Sequence, residues 1–498
     1  MNVNPITRLD YPDPDVIRVE DTYYMVSTTM HFMPGCEILQ SFDLVHWEHV
    51  TYVYETLDHT DAQQLKSGHN IYGQGMWAAS LRYHEGRFYI CFVANDTRKT
   101  YLYTSEKIDG PWKKQLIEGF YHDGSLLFDE DGRNYIVYGN DEIWITELNE
   151  DLTAPKKDGL HRLLVSDHKN PELGYEGSHI QKINGYYYIF LVHSLRDRWM
   201  RTEACFYSDS LEGEFTGGDV LCDDRGYCGQ GVAQGGIVDT PDGKWYAMLF
   251  QDSGAVGRIP ILLPVTWKDH FPVFGQNGHV PEEIEVHSTR PGYIYQPLVG
   301  SDDFCNGLLP RWQFNHDPDP RYYHLDALQG TYTITTREVC TELTQAVNTL
   351  TQRMSYPSCA AEVTVDASAL KEGDVAGLCA FQGCYAAVGI TKHHGKYEVL
   401  MLDKKEDGIL DMTEGTVVES HQMDFRLEAD FCNMKDEARC YYRVNKGDWL
   451  PIGTVHKLYF KLDHFTGCRF GLFCYAAEKT GGSACFRDFK YYDVDEIS

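Results

Sequence analysis

Five segments in the first half of the chain repeat one pattern, a turn residue or pair followed by a Tyr-containing run that becomes apolar. They are Asp21-Thr-Tyr-Tyr24-Met-Val, Glu85-Gly-Arg-Phe-Tyr89-Ile, Asp131-Gly-Arg-Asn-Tyr135-Ile, Asn184-Gly-Tyr-Tyr-Tyr188-Ile and Asp242-Gly-Lys-Trp-Tyr246-Ala. Asp-Gly and Asn-Gly pairs favour tight hairpin turns, and the alternating aromatic runs after them suit half-buried strands. The aligned tyrosines stand 65, 46, 53 and 58 residues apart. That spacing is close to the roughly forty to fifty residues that one four-stranded propeller blade consumes, so the repeat predicts five blades. A second element recurs downstream, in Ser41-Phe-Asp-Leu-Val-His-Trp47, Ser105-Glu-Lys-Ile-Asp-Gly-Pro-Trp112 and Ser208-Asp-Ser-Leu-Glu-Gly-Glu-Phe215, and is predicted to turn the chain into each outer strand. The competing arrangement is a pair of stacked sandwiches that repeat Tyr-rich hairpins.

Near residue 300 the repeat stops. A new unit opens with Asp302-Asp303-Phe304 and Trp312, continues through alternating runs such as Ala361-Glu-Val-Thr-Val-Asp366, and closes on Phe486-Arg-Asp-Phe489-Lys-Tyr-Tyr492. Period-two alternation with one apolar face predicts an antiparallel sandwich. Pro and Gly punctuate the chain at Arg290-Pro291-Gly292, which sets the expected division at 1–295 for the propeller and 296–498 for the sandwich. The expected class is all-β, and the 34 tyrosines favour strands in the same direction.

Counting back from each hairpin tyrosine reaches the strand that lines the axis of a propeller. Eleven residues before Tyr24 stands Asp13, and twelve before Tyr89, Tyr135, Tyr188 and Tyr246 stand Trp77, Asp123, Glu176 and Gln234. Equivalent positions in equivalent blades converge on one cavity, so three carboxylates, an indole and an amide are expected to face one another. Each also has a plainer reading: Asp13 between prolines as a turn former, Asp123 before Gly124 as a loop cap, Glu176 as a solvated hairpin residue, Trp77 as core. Their shared register favours the joint reading. Clustered carboxylates repel and lose hydration, which raises at least one pKa and lets a neutral acid coexist with an ionised base. Glycosidic cleavage needs that pairing, and an indole supplies the apolar platform for a sugar ring.

A net charge of −30 opposes nucleic-acid and anionic-membrane partners and leaves a neutral ligand, here an oligosaccharide, as the expected one. The N-terminus lacks a basic segment before an apolar core. The fifteen cysteines are odd in number and form no C-x-x-C pair, so reduced thiols and a cytoplasmic location are expected. No G-x-S-x-G, G-x-x-x-x-G-K or H-E-x-x-H motif is present, and His393-His394 reads as an exposed turn. No stretch marks a subunit interface, which leaves homo-oligomerisation open.

These residues carry a resemblance. Asn4-Pro-Ile, Tyr11-Pro-Asp-Pro-Asp15, Ser27-Thr-Thr with Pro34-Gly35, Met76-Trp-Ala78, His122-Asp-Gly-Ser-Leu126 before Asp129-Glu-Asp-Gly132, Tyr175-Glu-Gly-Ser-His179, Asn348-Thr-Leu-Thr-Gln-Arg353 and Gly373-Asp-Val-Ala-Gly-Leu378 together resemble glycoside hydrolase family 43. The similar group is the β-xylosidases and α-L-arabinofuranosidases with a C-terminal β-sandwich of concanavalin-like jelly-roll type. The resemblance implies an exo-acting, inverting hydrolase releasing xylose or arabinose, with Asp13 as general base, Glu176 as general acid and Asp123 orienting the acid. Inversion implies a gap of roughly 6.5 to 9.5 Å between the Asp13 and Glu176 carboxyl groups. It also implies that Arg258 contacts the sugar or Asp123. His31 and Phe32 sit in the loop Met30-His-Phe-Met33, which departs from the family's usual filling, and are expected to touch substrate. Relatives with a fifth-blade histidine use it around a central calcium ion. This chain has Gln234 there, so the metal assignment is unknown, between no required cofactor and a calcium ion at the propeller centre. An endo-acting arabinanase-like enzyme and a non-catalytic sugar-binding propeller are the rival readings; the first needs an open groove, the second the loss of an axial carboxylate.

Overall fold

The structure is a computed structural model that describes residues 4–413 and 415–493. Its first part is five antiparallel four-stranded sheets, each a simple meander. The first blade comprises Asp15–Val19, Thr22–Ser27, Gly35–Ser41 and Glu48–Tyr54; the second, Met76–His84, Arg87–Ala94, Lys99–Ser105 and Lys113–Ile117. The third comprises Ser125–Phe128, Asn134–Asn140, Glu142–Leu148 and His161–Ser166; the fourth, Glu176–Ile183, Tyr186–Ser194, Arg201–Ser208 and Thr216–Leu221. Val232–Asp239, Trp245–Asp252, Arg258–Lys268 and Phe271–Phe274 form the fifth. The five repeat tyrosines all lie on second strands, and the Ser-initiated segments lead from third to fourth strands, as expected for blades. Stacked sandwiches are ruled out for this region.

The ring closes without a shared strand. The N-terminal segment runs along the fifth blade instead, where Asn4 exchanges hydrogen bonds with Leu262 (2.7 and 2.9 Å) and Tyr11 N–H donates to Arg258 O (3.0 Å). Inside the ring, the Asp15 carboxylate accepts from Leu81 N (2.7 Å) and Arg82 (2.8 Å) and meets His179 Nδ1 at 3.1 Å. Arg82 also donates to Leu126 O, Ser125 Oγ and Ile180 O. One buried ion pair thus ties the inner strands of four blades and plugs the axis. Burial alone would raise the Asp15 pKa, but Arg82 and His179 outweigh it and hold the carboxylate below its ordinary value.

Residues 275–312 cross from the last blade to the first sandwich strand, Gln313–Asn315. Arg290-Pro291-Gly292 lies on this connector, which is fastened to the first blade by Thr289 N to Phe42 O (2.8 Å) and by Arg290 on Asp21 (2.8 Å). The second part is a β-sandwich of nine- and seven-stranded sheets. One strand of the larger sheet comes from the propeller: Phe32–Met33 pairs antiparallel with Phe314 and Asn315. The sandwich core also takes in Ala255, Val256 and Ile259 of the propeller, so apolar packing crosses the join there. Among the described residues there is no α-helix and no helix long and apolar enough to cross a membrane. The fifteen cysteines are free thiols, ten of them buried.

Candidate active site

All five register-matched residues lie at the same end of their inner strands. Glu176 opens its strand, Trp77 and Gln234 stand second and third in theirs, and Asp13 and Asp123 precede theirs by two positions. The local backbone accounts for the shared aim. Asp13 (φ 53°), Asp123 (φ 47°) and Gln234 (φ 64°) adopt left-handed conformations, while Glu176 is followed by Gly177 at φ 65°. Pairing registers also slip just past Met76, Glu176 and Ala233. Such bulges re-aim side chains that a regular pleat would send to alternate faces.

Asp13 is buried. One carboxylate oxygen accepts from Arg258 (2.8 Å) and the other from Thr28 Oγ1 (2.6 Å). Arg258 was expected on the sugar or on Asp123; the carboxylate it pairs with is Asp13. Two of its guanidinium nitrogens, Nε and NH2, are buried without a partner. Asp123 accepts from Gly177 N (3.0 Å), the amide next to Glu176. Glu176 accepts from Asn140 Nδ2 at 2.7 Å. Between Asp123 and Glu176 stands His122, whose Nε2 is 3.6 Å from one and 3.5 Å from the other. Gln234 packs on Gly177, where a Cβ would come within 2.7 Å of Gln234 Cγ.

The electrostatics follow from burial plus like charge. Burial raises the Asp123 pKa to about 6; the His122 cation opposes this, while Glu176 and Asp13 add to it. Burial would lower the pKa of His122, but Asp123, Glu176 and Asp13 together raise it to about 9. The carboxylates of three blades therefore act on one imidazolium, which keeps their mutual repulsion in check. We expect His122→Asn, which removes the cation beside Asp123, to leave that carboxyl protonated to higher pH. The acid limb of the kcat/KM profile should move up by roughly one unit, measured on an aryl glycoside across pH 4–9; an unmoved limb would contradict the electrostatic role.

Trp77 forms one wall, its indole edge-on to His122 with centroids 5.8 Å apart. The sandwich extends that wall. Phe465 contacts Trp77 at 5.7 Å and lies 4.4 Å beneath the Arg258 guanidinium. His31 and Phe32 require a correction. His31 is 0% and Phe32 1% exposed, so neither offers a face to a sugar. They belong to the seam, where His31 packs on Phe32, Tyr72, His316 and His464, and Phe32 lies 3.5 Å beneath Arg469. Sequence reasoning passed over His122 and Thr28, although both stand inside motifs it singled out. Asn140 and Phe465 carry no local signal.

His122, Asp123 and Glu176 bring one donor atom each within 4.8 Å of one another. Calcium takes six to eight oxygen ligands, and here only two of the three donors are carboxylates, the third being an imidazole nitrogen. The deeper carboxylate, Asp15, is already neutralised by Arg82. These residues do not fit a directly held calcium ion.

The family model described as glycosyl hydrolases family 43 matches residues 3–272, more than half the chain, and a β-xylosidase C-terminal concanavalin A-like domain matches 301–492. The chain belongs to glycosyl hydrolase family 43. Among solved structures it is similar to a bifunctional GH43-CE protein of Bacteroides eggerthii, 42% identical over 98% of this chain with a TM-score of 0.92. It spans 63% of that longer protein. A solved GH43 enzyme engineered to display both endo-xylanase and exo-arabinofuranosidase activity is 27% identical over 99% of this chain and 100% of its own, with a TM-score of 0.86. A β-xylosidase of Formosa agariphila is 26% identical, covering 99% of this chain and 89% of its own length. The family 43 chain is thus a glycoside hydrolase on a five-bladed propeller with an appended sandwich.

Proposed function

We propose that this family 43 enzyme removes single terminal xylosyl or arabinofuranosyl units from xylo- and arabinoxylo-oligosaccharides with inversion. The observation that carries the reading is that buried Asp13 and half-buried Glu176, from the first and fourth blades, meet around His122 in different hydrogen-bond settings, with Phe465 of the sandwich against the neighbouring Trp77. Asp13, bonded to Arg258 and Thr28, takes a proton from water as that water attacks the anomeric carbon. Glu176 gives its proton to the departing glycosidic oxygen, and the bond breaks with inversion. Asp123 fixes the Gly177 amide and hence the backbone that carries Glu176. Trp77 and Phe465 supply apolar faces for one sugar ring. The names of relatives, β-xylosidase and xylosidase/arabinosidase, support the pentose assignment.

No step needs a metal ion in this reading. The contact of Phe465 with Trp77, which sets a sandwich residue beside the carboxylates, favours exo over endo action, since a groove that admits an internal chain segment needs that side open. The test is a side-by-side assay of aryl β-D-xylopyranoside and aryl α-L-arabinofuranoside, with calcium and with chelator, following the first-formed sugar by NMR. Release of α-xylose from the β-xyloside, undiminished by chelator, is expected. Initial release of β-xylose would overturn inversion, and no release from either substrate would overturn the pentosidase reading.

A further inference from the structure

Asp10 is buried, three residues before Asp13, and the chemistry above does not use it. Its two carboxylate oxygens accept from backbone amides of different domains. Oδ1 takes Arg258 N–H at 2.7 Å, and Oδ2 takes Gly467 N–H at 2.8 Å. The first amide belongs to the residue that pairs with Asp13, and the second lies two residues beyond Phe465. The sandwich grips the same point again: Arg353 Nε donates to Asp10 O (2.9 Å), and Cys468 N–H donates to Ala255 O (2.8 Å) just ahead of Arg258. Glycine is required on both sides of the carboxylate. A Cβ at Gly257, which sits at φ 107°, would come within 2.3 Å of Asp10 Oδ1, and one at Gly467 would come within 2.7 Å of Asp10 Cβ and 2.2 Å of Val256 O.

We propose that Asp10 is a positioning residue, a single carboxylate that sets Arg258 and the Phe465 loop at a fixed separation and so makes the sandwich a working wall of the pocket. A carboxylate can accept both amides at once. The isosteric Asn cannot, because its NH2 group would confront one of the two N–H donors. The activity arm of the test rests on the pentosidase reading, while an exchange arm does not.

In full-length Asp10→Asn, amide hydrogen exchange at whichever of Arg258 and Gly467 faces the new NH2 group is expected to quicken by about tenfold or more. On an aryl pentoside, KM should rise about tenfold or more and exceed the loss in kcat, the mark of a pocket that no longer holds the sugar squarely. Phe465→Ala should cost less in the Asp10→Asn background than in wild type, because its wall has already moved. Gly467→Ala keeps the Asp10 carboxylate but drives a Cβ against Asp10 and Val256 O, so it parts the sandwich loop from Asp10 by a second route; it should raise KM more than it lowers kcat and decides the matter if Asp10→Asn does not fold. Unchanged exchange at both amides, or a fully multiplicative double variant, overturns the proposal. If the wild type cleaves neither aryl pentoside, the proposed function falls, and the exchange result alone judges Asp10.

Discussion

Asp13→Asn is expected to lower kcat on an aryl β-D-xylopyranoside by roughly 10³-fold, the scale of a lost general base, with a melting temperature close to wild type. Asn is the informative replacement because of the Arg258 contact. Its amide oxygen can still accept from Arg258 or Thr28, which both bond to Asp13. Asp13→Ala would instead strand a buried guanidinium that already has two unpartnered nitrogens. Removing one partner of such a pair costs about 3–5 kcal/mol, which would mix lost folding with lost chemistry. Steady-state kinetics and a thermal melt on the same preparation separate the two. A variant turning over within about tenfold of wild type would mean that another group activates the water.

The second large effect depends on the substrate. Glu176→Ala should lose about 10³- to 10⁴-fold on xylobiose, whose departing hydroxyl needs a proton, and only about tenfold on a dinitrophenyl xyloside, whose phenolate leaves unaided. The contrast between leaving groups is the diagnostic quantity, since a fold defect would depress both alike. Asn140 and His122 lose the carboxylate they face, but Asp123 keeps its bond to Gly177 N, so the pocket retains its frame. Equal losses on the two substrates would remove Glu176 from the acid's role.

The blades were legible because each hairpin declares itself locally, through a turn pair and a tyrosine on the second strand, and because identical blades begin their inner strands at the same height. That regularity brought Asp13, Trp77, Asp123, Glu176 and Gln234 into view as a set. What lay outside it was non-local. Phe32 reads as part of a loop at the pocket, yet Phe32–Met33 is a strand whose partner, Phe314-Asn315, comes from the other domain. Phe465 reaches Trp77 only once both domains have formed and docked. Arg258 was placed near the carboxylates by resemblance, but which one it chooses depends on the Asp10 bond to its own amide. Asn140 shows no pattern at all, since it ends a second strand and reaches across to the next blade's Glu176.

The Asp15–Arg82–His179 knot fills the propeller axis just past the carboxylates and, in the proposed reaction, leaves substrate and products the other end of the ring to use. Under the proposed reaction, traffic is then strictly in turn. The freed pentose lies deepest, behind the remainder of the oligosaccharide, so the shortened chain has to withdraw before the monosaccharide can follow. Each cut ends in complete departure, and a long substrate is trimmed through repeated separate encounters rather than by sliding inward one unit at a time.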